Sequence, residues 1–90
     1  MRLEWRPLAL ADRERIFDFI AKDDPVAALN LDEMFEKRAD LLIEYPESHR
    51  SGREKGTREM VVHPDYIVIY RIQKAFVEIL RVKHTGRQQP

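Results

Sequence analysis

Four cations and a histidine stand at spaced positions in the second half of this 90-residue chain: Arg58, Arg71, Arg81, Lys83 and His84. A guanidinium is a planar fork of donors that matches carboxylate and phosphate oxygens. Histidine exchanges its proton near neutral pH and so suits acid–base work. Three guanidiniums projecting from neighbouring strands of one small sheet point to an anion as the target. Each residue also has a plainer use. Arg58, after Gly56-Thr57, can pair with Glu59 or a helix carboxylate and serve only the fold. Arg71 can simply reach solvent, Arg81 can line either face of its strand, and His84 can be a surface residue where a strand stops. His63, beside Pro64-Asp65, reads as turn chemistry and His49 as a loop residue. Three scattered histidines without close carboxylates give no metal site.

The elements that must position these groups are legible from periodicity. Residues 66–72 form a nearly unbroken apolar run, as a strand buried on both faces does, which predicts the centre of the sheet. Residues 57–63 and 76–83 flank it as strands, and residues 2–5 form a short opening strand. Arg58 opens one strand while Arg81 and His84 close another, so antiparallel pairing predicts all three on one surface. Upstream, Ile16, Phe19 and Ile20 fall at helical spacing and predict a helix over 9–21. Asp24 is a good N-cap and Pro25 fits the first helical position, opening a second helix. Its stripe of Ala27, Leu31, Met34, Phe35, Leu41, Leu42 and Tyr45 predicts a helix over 25–45, stopped by Pro46. Trp5, Phe17, Phe19, Tyr66, Tyr70 and Phe76 are expected in the core. The fold class is α+β, a compact β-α-α-β-β-β chain with a helical hairpin packed on one face of a small, mostly antiparallel sheet.

Composition narrows the function classes. Ninety residues make one domain, 1–90, with 43% hydrophobic and 36% charged residues. The absence of cysteine excludes disulfides and thiolate chemistry. No apolar stretch approaches the ~20 residues of a membrane helix, and the start lacks a signal-peptide core, so a cytoplasmic protein is expected. The formal charge of zero hides a split: residues 1–45 hold 7 Lys/Arg against 11 Asp/Glu, and residues 46–90 hold 9 against 5. An acidic side and a basic side are expected.

In this order the pieces become familiar. Asp24-Pro25 with Ala27-Ala28, Pro46, Gly52-Arg53 and Gly56-Thr57-Arg58-Glu59 precede Tyr66-Ile67-Val68-Ile69-Tyr70-Arg71. Ile79-Leu80-Arg81-Val82-Lys83-His84 follows. Over nearly its whole length the chain resembles the RelE/ParE superfamily, the toxins of bacterial type II toxin–antitoxin pairs. The resemblance implies a growth-inhibiting protein that needs no cofactor and is neutralised by a cognate antitoxin in a hetero-oligomer. RelE-like members cut messenger RNA on the ribosome, and ParE-like members poison DNA gyrase.

Both targets have candidates here. An endoribonuclease of this kind needs a base for a 2′-hydroxyl, an acid for the leaving oxygen and cations for phosphate charge. His84, Arg81 and Arg58 would supply them. Two departures stand against it: Ile67 occupies a position where such nucleases carry arginine, and no aromatic follows His84. The apolar middle strand ending in Tyr70-Arg71 and the last strand look ParE-like, which favours gyrase, with Arg58, Arg71, Arg81, Lys83 and Arg87 as target-binding residues. A basic sheet that only binds nucleic acid or protein, without toxicity, is a further alternative.

Overall fold

Proline decides where both helices begin. In the computed structural model, which describes residues 1–86, β1 (Arg2–Trp5) runs directly into α1 (Pro7–Ala21). Pro7 occupies the first helical turn, where a missing N–H leaves no bond unmade, so the helix opens two residues before the expected Ala9. α2 (Pro25–Asp40) starts in the same way, with the Asp24 carboxylate accepting from the Ala27 amide at 3.1 Å. The expectation that α2 continues to Tyr45 is corrected: it stops at Asp40 and tightens into one 3₁₀ turn over Leu41–Ile43.

The apolar stripe of α2 also divides. Ala28, Leu31, Phe35, Ala39 and Leu42 are buried, at the three- and four-residue intervals of one helix face. Met34, Leu41 and Tyr45 are exposed, because they fall on the flank beside that face. Sequence periodicity merged two neighbouring stripes into one. In α1, Ile16 is buried while Phe19, expected in the core, is exposed.

Five strands follow the order β1-β5-β4-β3-β2. β4 (Tyr66–Ile72) is the central strand, as its apolar run predicts. β3 (Arg58–His63) and β5 (Phe76–His84) pair with it antiparallel, and β1 runs parallel to β5. β2 (Arg50–Ser51), not foreseen in the sequence, adds a two-residue edge to β3. The sheet is thus mixed, with a single parallel pairing among the described strands.

One irregularity sets the faces. Ile69 pairs with Arg81 while Tyr70 pairs with Ile79, so Leu80 is the extra residue of a bulge. Alternation alone would send Ile79 and Val82 to opposite faces. The bulge lets both join the fully buried layer beneath the helices with Met60, Val68, Tyr70 and Val77. By the same step Glu78, Arg81 and Lys83 all turn to the other face.

Candidate functional site

The face that the helices leave uncovered carries a hollow of about 720 Å³. Ile67, Ile69 and Leu80 form its apolar floor, and Arg53, Arg81 and Lys83 supply cations around it. Glu59 lines it too, nearly buried at 6% exposure, its carboxylate accepting from Arg50 Nη2 at 3.2 Å and from the Arg53 amide at 3.1 Å. The charge split of the sequence therefore has a partial structural counterpart: the basic half builds this face, with acidic groups interspersed.

Most of the expected cations are already engaged. Arg81 donates Nε and Nη2 to the two Asp12 oxygens at 2.8 and 3.0 Å. Asp12, fully buried on α1, also accepts from the Val82 amide at 2.9 Å and from Arg15 at 3.3 Å. β1 ends at Trp5, so the outer edge of β5 runs on without a strand partner, and Asp12 takes the Val82 N–H in its place. The bond to Asp12 raises the pKa of Arg81 above the ordinary arginine value. Arg71 donates to Glu78 at 2.7 Å, and Gln73 and Arg6 reach the same carboxylate. Those bonds, that of Arg71 foremost, hold Glu78 below the usual carboxylate pKa.

Arg58 lies on the helix side, opposite Tyr70, and donates Nη1 to the carbonyls of His49 at 2.9 Å and Glu47 at 3.2 Å. His84 pairs with Tyr66, its ring edge-on at 5.2 Å, and its Nδ1 accepts from the Gly86 amide at 3.1 Å. Lys83 turns to the open face opposite Ile67 and forms no ion pair among the described residues. Arg87 lies outside the described residues.

The expected gathering of Arg58, Arg81 and His84 on one surface holds only in part: Arg81 and His84 both line the hollow, and the register keeps Arg58 out of it. Arg58 and His84 are also far apart along the sheet, since their partners Tyr70 and Tyr66 stand four residues apart on β4, about 13 Å along the strand. The Leu80 bulge sends Arg81 to the opposite face. Three guanidiniums do not converge: Arg58 serves backbone carbonyls, while Arg71 and Arg81 each serve a carboxylate.

Three residues that matter here escaped sequence reasoning. Asp12 had a signal, a carboxylate inside the helical stripe of Ala9 and Ile16, but its partner Arg81 lies 69 residues away. Glu59 and Arg53 stand within the motifs that carry the resemblance, but their contact gave no signal, because the loop that joins them is irregular. His49 packs edge-on to Tyr70 at 6.2 Å, and its pKa is lowered by burial first and by Arg38 and Arg58 next.

A family model described as the ParE toxin of the type II toxin–antitoxin system parDE matches residues 3–89. The Y4kP protein of Sinorhizobium fredii is 43% identical over 90 residues, covering 99% of this chain and 93% of its own length. The toxin RelE2 of Caulobacter vibrioides is 37% identical over 83 residues, covering 92% of this chain and 93% of its own. Among solved structures, a chain of the chromosomal ParDE system of P. aeruginosa superposes with a TM-score of 0.84. It is 22% identical and covers 93% of this chain and 95% of its own, a likeness of fold. The chain belongs to the ParE toxin family, within the RelE/ParE superfamily. It is a toxin of a type II toxin–antitoxin system. No helix among the described residues is long and apolar enough to cross a membrane.

Proposed function

We propose that this toxin stops growth by binding DNA gyrase through the open face of its sheet, without cutting RNA. The observation that carries this reading is the division of the nuclease candidates. Arg58 lies away from the hollow, bound to the carbonyls of Glu47 and His49, and Arg81, though it lines the hollow with His84, is held through Nε and Nη2 by Asp12. In-line attack by a 2′-hydroxyl needs base, acid and phosphate-binding cations around one reacting centre. The family match adds support, since its description is of a ParE toxin.

The test is induction in a bacterium, with supercoiling by purified gyrase and primer extension on ribosome-bound RNA run side by side. Inhibited supercoiling with intact RNA is the expected result. Site-specific RNA cleavage with normal supercoiling would overturn it, and the name RelE2 borne by one relative makes that outcome the second reading. A cognate antitoxin is the neutralising partner, and the exposed flank of Met34, Leu41 and Tyr45 gives it apolar surface to cover. Co-purified toxin and antitoxin are expected to elute together, and a charge at Leu41 is expected to weaken the complex.

A further inference from the structure

Arg58 is a candidate contact under either target reading, yet the groups of the Gly56-Thr57-Arg58-Glu59 segment converge on one stretch of chain. On the helix side Arg58 holds the carbonyls of Glu47 and His49, and its cross-strand neighbour Tyr70 donates Oη to the Pro46 carbonyl at 2.6 Å. On the open side Glu59 holds the Arg50 guanidinium and the Arg53 amide. Between them Thr57 Oγ1 donates to the Glu54 carbonyl at 2.7 Å, and the Gly52 amide donates to the Thr57 carbonyl at 2.8 Å. Successive strand residues point to opposite faces, so the loop of residues 46–56 is gripped from both. The approach is close enough that a Cβ on Gly52 would collide with Thr57 Oγ1, and Gly56 turns at φ +84°.

The loop held in this way carries Arg53 to the hollow. Arg53 is exposed, and its guanidinium makes no ion pair among the described residues, unlike Arg50, Arg71 and Arg81. We propose that Arg53, together with Lys83, contacts the target, and that Arg58 and Glu59 are positioning residues that fix Arg53 there. A guanidinium on a pre-ordered loop loses less freedom on binding than one on a loose loop. The floor of Ile67, Ile69 and Leu80 between these cations fits an acidic protein segment with apolar neighbours better than a phosphate backbone. This inference rests on the open face being the target-contacting face, as proposed above.

The experiment measures gyrase binding by purified, folded variants alongside growth arrest on induction, which reads the surface whatever the target. Arg53→Ala is expected to weaken binding about tenfold with an unchanged melting temperature. Arg58→Gln is expected to weaken it similarly while also lowering the melting temperature. The double variant should bind no worse than the weaker single one, because Arg58 acts through Arg53. Should Arg58→Gln fail to fold, Tyr70→Phe loosens the same loop and is expected to lower affinity about threefold by the same coupling. Full affinity in Arg53→Ala, or losses that multiply in the double variant, would overturn the inference. If Lys83→Ala weakens arrest and Arg53→Ala does not, the loop inference alone fails. If neither matters, the open-face reading fails. RNA cleavage with these same sensitivities would make phosphate the group that Arg53 and Lys83 contact and overturn the acidic segment.

Discussion

The two faces of this sheet are built from the same three strands but differ in what their side chains are for. Toward the helices, Met60, Val68, Tyr70, Val77, Ile79 and Val82 have no exposure, and Phe35 packs edge-on against Tyr66 at 6.0 Å. On the open side aliphatic side chains alternate with carboxylates and cations, of which Arg53 and Lys83 are left without ion pairs among the described residues. Burial area sustains the first face, and unpaired charge makes the second available to a partner. The difference teaches that arginine in a basic sheet is not by itself a binding signal. Arg58, Arg71 and Arg81 are spent on holding the fold together, and a search for function belongs with the cations they leave free.

Substitutions can break or sharpen this contrast. Phe35→Ala should have the largest effect, destabilising by about 4 kcal/mol in urea unfolding, since it empties the centre of the helix-covered core. Asp12→Ala comes next, at about 3 kcal/mol, because it strands the Arg81 guanidinium and the Val82 amide together. Arrest by folded Asp12→Ala should persist, and a specific loss of target affinity would move Arg81 back among the contact residues. This pairing also makes Arg81→Glu a poor probe of the target surface, since it sets a second carboxylate against Asp12. Tyr70→Phe should cost about 1 kcal/mol, the value of its bond to the Pro46 carbonyl. On the open face, Lys83→Ala should change stability by less than about 0.5 kcal/mol while weakening growth arrest. A large stability loss there would erase the contrast between the faces.

Acid separates the faces most gently. His49 has a folded pKa below its ordinary 6.5, so the unfolded chain takes up its proton first. Stability is then full above 6.5 and declines as pH falls from there toward the folded value. Glu78, also depressed, contributes stability above its ordinary 4.5 and loses it as pH falls through the lower folded pKa. Urea midpoints followed from neutral pH downward should show a shallow first decline that His49→Gln removes. A second decline, below 4.5, should be removed by Glu78→Gln. A first decline that survives in His49→Gln would assign it to another group.

Local rules were enough for the order of the main elements, the start of α2 and the central place of β4. Proline geometry, capping and a run of apolar β-branched residues act within a few residues of chain, so they can be read from it. The end of α2 and the division of its stripe could not be read, because a helix face is chosen by what packs on it. Tertiary structure decided the rest of the site. One bulged residue, Leu80, determines whether Arg81 shares a face with Arg58. Asp12 finds its partner across 69 residues, and a loop without periodicity brings Arg53 to the hollow. Strand alternation has a period of two, so a single irregular residue reverses every side chain beyond it, and no local pattern records that reversal.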